Sequence, residues 1–157
     1  MKTIAMAVLL TTLAALPVCA DPIPAQFAST GEDRSAIEAL LTTYTTAVST
    51  KNEPMFEGLL LNKDIAFSGV GARDRSESQS VVTANYDSFR NGVFQGPPFT
   101  QRFQDVHIEQ DGRLASVSLV FVNTAADGAS WGWKTLQLLK VGGRWKIASE
   151  FYTAHPG

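Results

Sequence analysis

Two glycines, Gly142 and Gly143, stand between two long runs of apolar, aromatic and β-branched residues at 131–141 and 144–153. A glycine pair in that setting predicts a two-residue β-hairpin turn, because such turns need positive φ and glycine supplies it without a steric cost. The turn dictates a register. Val141 lies opposite Arg144, Lys140 opposite Trp145, Leu138 opposite Ile147, Leu136 opposite Ser149 and Lys134 opposite Phe151. Strand side chains alternate between faces. One face therefore carries Leu136, Leu138, Trp145, Ile147 and Phe151 and belongs to a core. The other carries Trp133, Thr135, Gln137, Leu139, Lys146, Glu150 and Tyr152 and is mixed.

A second hairpin precedes it. Residues 99–110 and 113–123 flank Asp111-Gly112, another preferred turn pair. Its predicted pairs are Ile108 with Ala115, Val106 with Val117 and Gln104 with Leu119. Ile108, Ala115, Val117, Leu119 and Phe121 then share the core face, and Asp105, His107, Ser116 and Ser118 the opposite one. Upstream the period changes to that of helices. Ser35 with Glu38 reads as a capping box, followed by the stripe Ile37, Leu40, Leu41, Tyr44 and Val48. The threonines at 42–46 are poor helix formers, so burial must hold this helix. Asn52 and Pro54 open a short second helix, 64–68 reads as a short strand ended by Gly69 and Gly71, and Ser76 with Gln79 opens a third helix through Val82, Tyr86 and Phe89 to Asn91-Gly92. Residues 125–129 link the two hairpins.

The start of the chain is of another kind. Lys2, an apolar run at 4–16 and a small-residue end at Ala20 have the pattern of a secretory signal peptide. The run is shorter than the roughly 20 residues of a membrane span. Cleavage is expected after Ala20, with lipoprotein processing at Cys19 as the alternative. Loss of Lys2 leaves 12 of the 13 basic residues against 15 acidic ones. That balance gives no basic stripe for nucleic acid. The only cysteine leaves with the leader, so disulfides are not expected. The domains are thus 1–20, signal peptide; 21–32, a flexible arm rich in Pro and Gly; and 33–155, one folded domain. The location expected is periplasmic or secreted, with no membrane attachment after cleavage.

The order helix, helix, strand, helix and four long antiparallel strands, closed by Leu136-Gln-Leu-Leu-Lys140 and Gly-Gly-Arg-Trp-Lys-Ile147, resembles the NTF2-like superfamily, with its SnoaL-like and DUF4440-type domains. The resemblance covers nearly all of the chain after the leader. It implies an α+β fold in which a curved antiparallel sheet wraps around three helices as a cone, with a pocket at the open end. It leaves function open, since such folds serve isomerases, dehydratases, cyclases and plain binding proteins. Steroid-isomerase-like members place a general-base aspartate where this chain has Ser68 and Gly69, and a buried acid near the position of Lys134. Both departures count against that reaction.

Several residues remain as candidates. Lys134, facing the core near Phe151, needs an anion if buried, from a ligand or from elsewhere in the chain; otherwise it snorkels at the rim. Arg102, opposite Phe121, is placed similarly. Tyr44 and Tyr86 bring hydroxyls to core stripes, and Phe67 completes the expected pocket set of Tyr44, Phe67, Tyr86, Arg102, Lys134 and Phe151. Asp105 and His107, two apart on one strand face, form a possible acid–base pair, against a plain solvated face. His107 with Glu109 and Asp111 makes no convincing metal set, and no cofactor is expected. Trp133, Leu139 and Tyr152 make an outer apolar patch, read as a homodimer face; cover by Ile23 and Phe27 is the alternative. The first functional reading is a binding protein for a small apolar organic molecule. The alternatives are a lyase or isomerase using tyrosine proton donors, and a protein-interaction module using the outer sheet face.

Overall fold

The computed structural model describes residues 27–72 and 79–157, and of 72 and 79–84 only the backbone. The expected leader and most of the arm lie outside the described residues. Helix α1 (Gly31–Ser49) and helix α2 (Glu53–Glu57) come first. Strands β1 (Ala66–Ala72) and β2 (Gln79–Ala84) follow, then helix α3 (Tyr86–Phe94) and the long strands β3 (Thr100–Asp111), β4 (Leu114–Ala125), β5 (Gly128–Val141) and β6 (Arg144–Pro156). They form one six-stranded sheet in the order β2-β1-β6-β5-β4-β3. All neighbours are antiparallel except β1 and β6, which run parallel. No described helix is long and apolar enough to cross a membrane.

The stripe on α1 faces the concave side of the sheet. Ile37, Tyr44, Ala47 and Val48 are fully buried, with Leu40 and Leu41 nearly so. The sheet answers with Val117, Leu119, Leu136, Leu138 and Ile147. The threonines on α1 bond back to the preceding turn, Thr43 to the Ala39 carbonyl at 2.8 Å and Thr46 to that of Thr42 at 2.9 Å. The helix therefore stands on packing rather than propensity. It begins at Gly31, earlier than the expected capping box. Ser35 sits inside the first turns and bonds the Gly31 carbonyl, and Thr30 at the N-cap makes no side-chain bond. Where the arm was expected to be loose, Ala28 bridges Glu109 and the Ser29 hydroxyl donates to Gln110 at 2.7 Å. Asp33 ties α1 to three strands: it accepts from Lys140 at 2.5 Å, Trp145 at 3.1 Å and Gln110 at 3.0 Å.

The third helix is shorter than its apolar stripe suggested. Asn85 caps it by accepting from the Ser88 amide, and it runs through Asn91-Gly92 to Phe94. Gln79 and Val82 belong to β2, because pairing with β1 captures the stretch as a strand. Strand β1 in turn passes through Gly69 and Gly71 rather than ending there.

Two bulges set which side chains point inward. In the β3–β4 hairpin the turn is Gly112-Arg113, with Asp111 opposite Leu114, and Ile108 pairs with Val117. This differs from the expected pairing by two residues, so the core face keeps its members. A bulge then falls at Asp105, whose φ is +49°. In the β5–β6 hairpin, Gly142 and Gly143 form the turn with φ of +57° and +78°. The expected pairs hold from Val141 to Leu138. Beyond them Gln137 pairs with Ser149, leaving Ala148 as an extra residue. Ile147, just before it, exchanges backbone hydrogen bonds with Leu59 and Leu61, whereas Ser149 starts the ladder to β1. Strand β6 changes outer partner at this point. The bulge shifts it by one position, and a one-residue shift exchanges faces.

Candidate functional site

The shift at Ala148 brings Glu150 and Tyr152 inside and turns Phe151 out. Glu150 is completely buried and faces Lys134, which is 3% exposed. Phe151, expected in the pocket, is 48% exposed on the outer face. Lys134 is opposite Tyr152, not Phe151. The lysine accordingly finds its anion within the chain instead of snorkelling to the rim. Its ammonium lies 2.7 Å from Glu150 Oε1 and donates to the Tyr44 hydroxyl at 2.6 Å. Tyr44, fully buried on α1, donates in turn to Glu150 Oε2 at 2.8 Å. The ammonium is out of line for a hydrogen bond to Oε1, which has no other donor among the described residues.

Aromatic rings surround this network. Lys134 Nζ is 4.5 Å from the centre of the Tyr44 ring, 5.2 Å from that of Phe121, 5.7 Å from Tyr152, 5.9 Å from Phe103 and 6.0 Å from Phe89. Ring faces attract a cation but do not replace its hydration. Burial therefore lowers the Lys134 pKa, although the Glu150 charge pulls the other way. Burial first, and then the negative charge of Glu150, raise the hydroxyl pKa of Tyr44 well above its ordinary value and that of Tyr152 less so.

Above it opens a cleft of about 330 Å³. Lys134 and Glu150 form its floor, and Phe89, Val93, Phe99, Phe121 and Tyr152 its walls. Ser88, Gln101, Asn123 and Ser130 bring polar groups to the lining. Gln101 donates through Nε2 to Asn123 at 2.8 Å, while its buried Oε1 has no partner among the described residues. The Tyr152 ring lies against Gly69, where an added Cβ would come within 2.4 Å of the ring.

The other residues expected from sequence are dispersed. Phe67 is buried behind the cleft, stacked on Phe89 at 4.7 Å. Tyr86 is buried too, but its hydroxyl donates to Glu57 at 3.0 Å, away from the cleft lining. Arg102 is exposed and borders a surface groove with Arg34 and Glu38. It sits opposite Val122, and Phe103 takes the position across from Phe121. His107 and Asp105 are exposed on β3, and among the described residues no hydrogen bond or ion pair joins them. The described residues contain no cluster of three metal-ligating side chains. On the outer face Trp133 is 55% and Trp131 47% exposed, with His155 stacked on Trp131 at 4.6 Å. Leu139 is partly buried there, and Phe151 takes the place expected for Tyr152. Glu150 is the member of the network that sequence reading missed. Its one signal was the lysine on the opposite strand, which needed an acid if buried.

The family model described as the SnoaL-like domain matches residues 37–152. The chain belongs to the SnoaL-like family. No protein with a curated description matches it. Solved structures share the fold of this SnoaL-like domain at low identity. One is a protein of unknown function with a cystatin-like fold from Nostoc punctiforme, 12% identical, with a TM-score of 0.64, covering 83% of this chain and 96% of that one. Another is an NTF2-like protein of unknown function from Shewanella baltica, 18% identical, with a TM-score of 0.62, covering 82% and 100%. A third, provisionally assigned as a scytalone dehydratase, comes from Novosphingobium aromaticivorans. It is 16% identical, with a TM-score of 0.58, covering 76% and 81%. These likenesses establish the NTF2-like cone for this SnoaL-like chain.

Proposed function

We propose that this SnoaL-like domain binds a small, largely apolar organic molecule in the cleft above Lys134 and Glu150. The observation that carries this reading is a hollow of about 330 Å³ with aromatic walls and a charged floor. Small-molecule sites have volumes of roughly 300–1,000 Å³, apolar linings and a few placed polar groups. The volume suits a molecule of one or two rings. A polar end would meet Glu150, Lys134 or the Gln101 amide. The leader-like start suits a protein that works in the periplasm or outside the cell. The exposed patch of Trp131, Trp133 and Phe151 suits a homodimer, with a different protein partner as the alternative occupant.

Thermal-shift titration with a panel of small cyclic compounds tests the reading. Val93→Trp, which fills the cleft from α3, is expected to abolish any ligand-induced rise in Tm. A panel without effect on the wild type, or a rise that survives Val93→Trp, would count against the cleft as the site.

A second reading, a lyase or isomerase, has one specific observation in its favour. Glu150 lines the cleft and its Oε1 has no hydrogen-bond donor among the described residues, as a general base would. Glu150→Gln separates the two: it is expected to abolish turnover if proton transfer occurs there, while leaving binding of an apolar ligand within a few-fold.

A further inference from the structure

Lys134 combines three features that amine chemistry requires, and the inference from them rests on reading the cleft as a small-molecule site. Lys134 lines the cleft. A carboxylate lies beside its ammonium, with Glu150 Oε1 2.7 Å away. A hydroxyl that can pass protons joins the two, at 2.6 Å from Nζ and 2.8 Å from the carboxylate. We propose that Lys134 captures a small aldehyde or ketone covalently as a protonated imine, with Glu150 and Tyr44 moving the protons.

The steps balance without any further reactant. Glu150 Oε2 accepts one proton from the ammonium through the Tyr44 hydroxyl. The free amine attacks the carbonyl carbon, forming the C–N bond, and the carbonyl electron pair goes to oxygen. Glu150 gives its proton to that oxygen and takes one from the nitrogen in exchange, leaving the carbinolamine. Glu150 then returns its proton to the hydroxyl, which leaves as water while the nitrogen lone pair forms C=N. The ammonium and carbonyl become a protonated imine and one water, and the carboxylate is restored. Burial favours the reactive neutral amine, in agreement with the lowered pKa of Lys134. The rings of Phe121, Tyr152 and Phe89 keep water from the product. Lys63 also meets a carboxylate, Glu57 at 2.6 Å, but its side chain is 64% exposed.

The test is borohydride trapping on the purified wild-type protein, mapped by peptide mass spectrometry. The probes are benzaldehyde, cyclohexanone and hexanal, each paired with its alcohol in a thermal-shift assay that reports occupancy. The expected result is one dominant adduct on Lys134, formed on the order of a hundredfold more slowly in Glu150→Gln. Probes that raise Tm but give no adduct, or adducts spread over exposed lysines such as Lys63, would overturn the covalent step and leave binding intact. If neither carbonyl compounds nor alcohols occupy the cleft, the binding reading falls together with the proposal. Should Glu150→Gln not fold, the wild-type adduct map alone decides.

Discussion

Lys134 and Glu150 are buried as a close pair. Taking two charges out of water costs several kcal/mol per ion, and their attraction repays it only with good geometry. Removing one partner leaves the other buried and unpaired. Glu150→Ala is therefore expected to destabilise by about 3–5 kcal/mol, measured by urea denaturation. The paired change Lys134→Met with Glu150→Gln removes both charges and is expected to cost much less. That comparison separates a structural contribution from a functional one: a double variant that folds well but no longer takes up ligand places the pair in binding. Tyr44→Phe removes a hydroxyl bonded to two charged groups. Its expected cost is about 1.5–3 kcal/mol in the same assay.

At the scale of elements, the C-terminus of α1 is bound to the lip of the cleft. Lys51 adopts φ +56° just past the helix, with its amide bonding the Val48 carbonyl and that of Asn52 the Ala47 carbonyl. Glycine is the usual residue at such a helix end, and another residue there costs about 1–2 kcal/mol. The Lys51 side chain gives a reason to keep it. It donates to the carbonyls of Val93 and Pro97 and stands 4.5 Å from the centre of the Phe99 ring. Lys51→Gly is expected to leave Tm nearly unchanged, as relieved backbone strain offsets lost contacts. Amide hydrogen exchange at 93–99 should quicken in that variant.

Elements also show where sequence reading succeeds and fails. The hairpin at Gly142-Gly143 was legible because its cause is local, in two residues that accept positive φ. The face assignment of the β3–β4 hairpin was right despite a misplaced turn, since an error of two residues preserves parity. Ala148 was different. Its bulge arises where β6 exchanges a loop at Leu59–Leu61 for strand β1, and nothing near residue 148 in sequence encodes that exchange. Glu150 was thereby assigned outward and Phe151 inward, and the candidate site lost its central carboxylate. Strand β2 was hidden for a similar reason: Ser76 with Gln79 imitates a helix start, and pairing with β1 decides otherwise.

For the molecule as a whole, the narrow end of the cone depends on Asp33. Its carboxyl is held below its ordinary pKa of 3.8, chiefly by the hydrogen bond from Lys140. The unfolded chain binds this proton more readily than the folded one. The contribution is therefore complete above pH 3.8 and disappears as pH falls through the depressed value. Melting curves across that acidic range should fall less steeply for Asp33→Asn than for wild type, from a lower starting Tm. Assembly is a second property at this scale. Trp133→Glu is expected to convert a dimer to a monomer in native mass spectrometry with the fold unchanged. A wild type that is already monomeric would dismiss the homodimer.

The bare backbone at Gly69 has a consequence for the range of guests. The phenol of Tyr152 rests where a methyl group would otherwise stand, so the depth of the hollow is governed from the neighbouring strand β1 by one missing carbon. Alanine at 69 would tip that ring toward the opening and shorten the space. A residue outside the lining thus sets the size of the hollow.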